Sequence, residues 1–250
     1  LFDRISRKLY LTENGRRALQ YARHIIDLLD EMEQGVRDVD AMGRLKVGTS
    51  ITIGTYLLPG YIKKLKQQYP ALKVEASIAN SGTIEQQILD NDIDVGIIEG
   101  VAHSPFILSE SFAGDRLVFI CPAGHEFAGK TLEELSEVRN QDFILREKGS
   151  AGREIFDGIL AAQELNVRPI WQSASNQVIL QGVKAGLGIS ILPYFLVRQD
   201  IREGELAEFR IKDLALNRKY SVIYHKNKFL PRSARTLMEL CKEGNGADRL

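Results

Sequence analysis

Cysteine is nearly absent: Cys121 and Cys241 are the two in 250 residues, and they stand far apart. A disulfide framework or a thiolate zinc site needs more thiols at ligand spacing. The expected state is two buried thiols in a reducing cytoplasm. Histidine is scarce as well. His24, His103, His125 and His225 are scattered without metal-ligand spacing, so no metal or other cofactor is expected. No apolar run reaches the roughly eighteen residues of a membrane span, and no low-complexity tract or short-period repeat is present. Leu1-Phe2-Asp3-Arg4 has neither Met nor the apolar core of a secretory signal and begins mid-pattern, so the natural N-terminus is expected further upstream. Lys plus Arg equals Asp plus Glu at 33 each, so net charge selects no class of partner.

The charges are nevertheless unevenly placed. Residues 1–23 carry Arg4, Arg7, Lys8, Arg16, Arg17 and Arg23 against Asp3 and Glu13, and residues 24–40 reverse the sign, with six acids against Arg37. A basic leading edge followed by an acidic stem suits one part that touches nucleic acid and one held away from it. Thr12-Glu13-Asn14-Gly15 reads as a turn and cap before a long helix. Along that helix Ala18, Ala22, Ile25, Leu29, Met32, Val36 and Val39 are spaced alternately by four and three, the heptad seam of a coiled coil. Dense charge on the other faces makes the stripe narrow, which favours a helix–helix seam over burial in a globule. Gly43 ends the segment.

Strands then alternate with helices. Strands are expected at Leu45–Thr49, Val74–Ala79, Asp94–Ile98, Arg116–Cys121, Phe143–Leu145, Pro169–Gln172, Ile189–Leu192 and Tyr220–Tyr224. Helices are expected at Tyr56–Tyr69, Thr83–Leu89, Asn176–Ala185 and Ser233–Lys242. This alternation specifies an α/β fold with helices on the sheet faces. Ligands of such sheets sit where strands end and helices begin. Four of these junctions carry short polar residues: Gly48-Thr49-Ser50-Ile51-Thr52, Asn80-Ser81-Gly82-Thr83, Arg146 to Arg153, and Gln172-Ser173-Ala174-Ser175-Asn176. Each has a structural explanation in helix capping, and Thr83 with Gln86 matches a capping box. Together, hydroxyls and free helix-start amides make an anion site. Arg146 and Arg153 would add charge, although each reads as a solvated surface side chain. No dedicated buried Arg or Lys is therefore expected at the site.

Gly124-His125-Glu126-Phe127-Ala128-Gly129-Lys130-Thr131 matches the phosphate-loop pattern letter for letter. Glu126 would place a carboxylate in the phosphate cradle, the expected following helix is short and acidic, and no downstream apolar strand ends in an acid to hold magnesium. Thr131 with Glu134 reads as a capping box. A phosphate-loop nucleotide-binding enzyme is the least favoured reading.

Leu1-Phe2-Asp3-Arg4 followed by Leu11-Thr12-Glu13-Asn14-Gly15 resembles the wing and exit of the winged helix-turn-helix in LysR-type transcriptional regulators, with Asn14 in place of the usual Ala. Tyr56-Leu57-Leu58-Pro59, Tyr69-Pro70 and Asp94-Val95-Gly96-Ile97-Ile98 resemble the family's first effector subdomain. The segment Pro122–Phe127 and the stretch Val183–Pro193 resemble its later motifs. The resemblance implies a periplasmic-binding-protein-like (type II) fold, with residues 1–15 ending the winged domain and 16–43 forming the linker helix. Residues 44–115 and 220–243 would form effector subdomain I, and 116–219 subdomain II. It further implies a cytoplasmic regulator, not an enzyme, that binds a small anion or carboxylate effector between the subdomains. Ser50, Ile51, Thr52, Ser81, Gly82, Thr83, Glu147, Ser150, Ser173, Ser175 and Asn176 would hold the effector. Arg4, Arg7 and Lys8 would meet DNA, and the 18–39 seam would build a homodimer or homotetramer. A transporter's solute-binding protein shares the two-lobed fold, but it has no use for the seam and expects a secretory signal.

Overall fold

The computed structural model describes residues 1–5, 8–35 and 43–243. A hairpin of β1 (Phe2–Ile5) and β2 (Lys8–Leu11) leads into helix α1 (Glu13–Gly35). Thr12 Oγ1 accepts from Gly15 N at 2.9 Å, fixing the turn where the sequence placed a cap. Ile25 and Leu29 are 58% and 53% exposed on the described chain, so the apolar stripe is not buried against its own globule. Val36 and Val39, with Arg7, lie outside the described residues. Met32 falls within α1 and Lys8 opens β2, their side chains outside the description.

Two βαβ passes build the first lobe. Strands β3 (Arg44–Ser50), β4 (Lys73–Ala79) and β5 (Val95–Glu99) are parallel in the order β4-β3-β5. β5 is buried along its whole length, as a strand covered on both faces must be, hence its continuous apolar run. Between these strands run α2 (Ile51–Tyr56), α3 (Leu58–Gln68) and α4 (Ser81–Leu89). The helix expected over 56–69 is α3, starting at Leu58; α2 is a separate short helix that the sequence reading did not give, and it begins directly after β3.

A 16-residue strand, β6 (Ile107–Pro122), connects the lobes. Its first part, Ile107–Arg116, pairs antiparallel with the last strand of the first lobe; Leu117–Pro122 pairs with strands of the second. The sequence showed only its far, apolar half, because the near half, Ile107–Arg116, has neither a continuous apolar run nor a strict alternation. The second lobe continues through β7 (Thr131–Leu132), a 3-10 turn (Leu135–Val138), β8 (Ile144–Arg146), α5 (Ala151–Ala162), β9 (Trp171–Ser173), α6 (Asn176–Lys184), β10 (Ser190–Pro193), α7 (Tyr194–Arg202) and β11 (Leu206–Ile211). Strand β12 (Asn217–His225) returns to the first lobe, starting earlier than the expected Tyr220, and α8 (Arg232–Glu243) packs on it. Each lobe has its own core, one around Leu45, Ile97 and Tyr220, the other around Phe119, Phe143 and Phe156. Both cysteines are free and buried, as the sequence suggested.

Two expected capping boxes are corrected. Helix α4 is capped by Asn80, whose Oδ1 accepts from Thr83 N at 2.9 Å, while Gln86 bonds Asp90. Thr131 belongs to β7, and the capping box there is formed by Glu134 and Glu137. That placement removes the helix a phosphate loop requires. Residues 123–129 are turns, held in part by His125 Nδ1 accepting from Phe127 N at 3.1 Å.

A candidate effector cleft between two lobes

Strand ends from both lobes meet between the crossing strands. Glu99 ends β5 and Arg146 ends β8, so each is carried past the apolar run that precedes it and into the cleft. With Ser150, Ala151, Gly152, Asn176, Leu192 and Arg218 they line a water-sized hollow of about 10 Å³. Asn176 and Leu192 also belong to an adjoining groove of about 400 Å³ bounded by Ile51, Thr55 and Tyr56 of the first lobe and Ala174–Gln177 of the second. Tyr56 meets Phe195 edge-on across the cleft, ring centroids 5.3 Å apart. Gly82 N donates to Gly149 O at 3.0 Å from one lobe to the other. Gly149 has φ +88°, and a Cβ there would come within 3.1 Å of Asn80 Oδ1, so this approach suits glycine.

The serines at the helix starts differ. Ser150 Oγ accepts from Arg153 N and Ser175 Oγ from Val178 N, both at 3.3 Å, so each caps its helix. Ser50 occupies the corresponding place before α2 and makes no capping bond. Its Oγ is buried without a hydrogen-bond partner among the described residues. Capping therefore does not explain Ser50. Thr52 is buried beside it.

The remaining expected residues are held by the fold. Ser81 Oγ donates to the Glu99 carbonyl at 3.0 Å, Ser173 Oγ accepts from Ser175 N at 3.0 Å, and Thr83 is exposed on α4. Of the expected set, Ile51, Ser150, Ser175 and Asn176 line the hollow or groove, and Gly82 makes the interlobe bond. Glu147 grips Arg146 with both oxygens, at 2.9 and 3.1 Å, and Arg146 Nη1 donates to Asn176 Oδ1 at 3.0 Å.

Two arginines are therefore not solvated, as the sequence reading had them. Arg146 lines the cleft at 9% exposure. Arg153 is buried behind it, donating to Asp157 and to the Arg146 carbonyl at 2.7 and 3.1 Å, which locks the loop between β8 and α5. A third arginine, Arg218, is buried at the hollow and is engaged by acids. Its Nε and Nη2 each lie 2.6 Å from an Asp115 oxygen, and its Nη1 lies 3.8 Å from Glu99 Oε1. Glu99 and Arg218 were missed, though Glu99 was detectable as the first polar residue after the apolar run at β5. Arg218 gave no such signal, because its place depends on pairing with β6.

The LysR substrate binding domain family model matches residues 40–246. The chain belongs to the LysR family of transcriptional regulators. Its sequence is 34% identical over 247 residues to the HTH-type transcriptional regulator YeiE of Escherichia coli K12, covering 98% of this chain and 83% of that one. It is 28% identical over 226 residues to CysL of Bacillus subtilis 168, covering 90% and 76%. Among solved structures, the CcmR regulatory domain of Synechocystis PCC6803 in complex with 2-PG superposes with TM-score 0.72 at 24% identity, covering 82% of this chain and 98% of that one. The effector binding domain of QuiR in complex with shikimate gives 0.71 at 15%, covering 83% and 99%. These structural likenesses bear out the periplasmic-binding-protein-like fold. The relatives are regulators, so the LysR chain is read as a sensor and not as an enzyme, and the phosphate-loop reading falls with its missing helix.

Proposed function

We propose that this LysR regulator senses a small anion or carboxylate in the interlobe cleft and passes the closure of the lobes through α1 to DNA. The observation that carries this reading is the start of α5. Ala151 and Gly152 line the hollow, and amides in a first helical turn have no intrahelical acceptor. Arg146 is neutralised by Glu147, so the attraction for an anion comes from those amides and from the start of α6 at Asn176. Ser50, next to Ile51 of the groove, supplies a buried donor that no described residue uses. The first turns of α1 support the route to DNA: Arg17, Gln20 and Tyr21 lie against Ile88, Phe106 and His225 of the first lobe. Arg4 and Lys8 on the hairpin, with Arg7, would meet DNA phosphates. The exposed stripe on α1 would pair two cytoplasmic copies, with a tetramer as a further assembly.

Calorimetric titration with simple carboxylates and sulfur oxyanions tests the cleft. Ser50→Ala should weaken the accepted ligand roughly ten- to a hundredfold, as losing a hydrogen bond to a charged ligand does. It should leave the melting temperature alone, since no capping bond is lost. Unchanged affinity in both Ser50→Ala and Asn176→Ala would rule the cleft out as the site.

A further inference from the structure

Beside the Gly82–Gly149 bond, a titratable ring joins the lobes. His103, in the loop after β5, lies between two carboxylates. Its Nδ1 is 3.1 Å from Glu85 Oε2 on α4, and its Nε2 is 2.5 Å from Glu154 Oε1 on α5 of the other lobe. Glu85 is fixed, because its Oε1 accepts from the backbone N–H of His103 at 2.8 Å and of Ser104 at 2.7 Å. A neutral ring has one proton for two carboxylates that only accept, and it stays on Nδ1, because Glu85 is pinned and 10% exposed whereas Glu154, 49% exposed, can turn to water. The nitrogen that gains or loses a proton is then Nε2, the one facing the second lobe. With the proton, Nε2–H donates to Glu154. Without it, a ring lone pair opposes the carboxylate's lone pairs.

We propose that His103 is a proton-operated clasp, holding the two lobes together when doubly protonated and releasing the second lobe when Nε2 is deprotonated. The clasp stands on interlobe geometry alone, and only its consequence, tighter effector retention at lower pH, rests on the cleft reading. Glu85 from α4 and Glu154 from α5 are the charged groups acting on the ring among the described residues. The hydrogen bond to Glu85 is the largest influence, and with Glu154 it holds the ring's pKa above its ordinary value against partial burial. A raised pKa in the closed form means that the clasp is fully present below the ordinary imidazole value. It is lost as pH rises through the raised one. The ring is half exposed, so solvent screening keeps the effect modest.

The Gly82 amide bonds across the cleft and reports closure directly. In the ligand-free, 15N-glycine-labelled chain, Gly82 protection against hydrogen exchange, corrected for the intrinsic rate, should fall roughly two- to fivefold between about pH 6 and about pH 8.5. Gly96, inside β5, should show no such change. His103→Gln and Glu154→Gln should flatten the Gly82 profile, and if Gly96 shows that the first variant fails to fold, the second decides. A flat profile in the unsubstituted chain, or a fall that persists in Glu154→Gln, overturns the clasp. A pH-dependent Gly82 in a chain that binds neither acetate nor sulfite would instead count against the cleft reading alone.

Discussion

Replacing Arg218 with Met should expose how much the junction between the lobes depends on one buried ion cluster. Arg218, Asp115 and Glu99 have side chains 3%, 8% and 6% exposed, with Asp115 held by two bonds of 2.6 Å. Methionine preserves much of the aliphatic stem but leaves two desolvated carboxylates with no cation. Breaking a buried pair from one side costs about 3–5 kcal/mol. A chain of this size loses roughly 2–4 °C of Tm per kcal/mol, so the fall should be on the order of 10 °C. Adding Glu99→Gln to the variant should restore part of the loss. Differential scanning calorimetry of the three proteins measures both effects. An Arg218→Met Tm within about 2 °C of the parent would show that the cluster is not desolvated as described.

Lysines in place of Ile25 and Leu29 should place charge in the α1 seam and shift sedimentation toward a smaller species; an unchanged assembly would exclude the seam as the main interface. Burial pushes the Cys121 thiol up to about 11 and the Cys241 thiol up to about 12, so neither should react appreciably with iodoacetamide in the native protein near neutral pH. Rapid native alkylation, followed by mass spectrometry, would contradict their burial. Lys130→Ala should leave the fold and anion binding intact, and the parent should show no magnesium-dependent ATP or GTP binding. Micromolar nucleotide affinity lost in that variant would reverse the reading of residues 124–131.

Periodicity and local chemistry determined much by themselves. The apolar runs at β5 and β10 marked buried strands, because a strand covered on both faces has no choice of polarity, and the alternation of Arg44, Leu45, Lys46 and Val47 marked β3. The 4-3 spacing marked the face of α1, and the strand-end rule directed attention to the polar junctions at 49–52, 146–153 and 172–176. What remained illegible depended on neighbours distant in sequence. The near half of β6 follows from packing against elements far along the chain, whereas α5 and α7 carry a helical period that the sequence reading passed over, with Ile155, Phe156, Ile159 and Leu160 recurring behind the Ser150 cap. Ser50, Ser150 and Ser175 share one residue type and one position before a helix, yet only the folded chain shows that two cap their helices and one has no partner among the described residues. Arg146 read as an ordinary surface cation and Arg218 drew no reading at all, because burial of a charge is settled by its counter-ions. Glu147 is adjacent, but Asp115 is 103 residues from Arg218 and meets it only through the register of β6 with β12. His103 shows the same dependence: its partners at 85 and 154 come from different lobes, and only tertiary structure brings both nitrogens onto carboxylates.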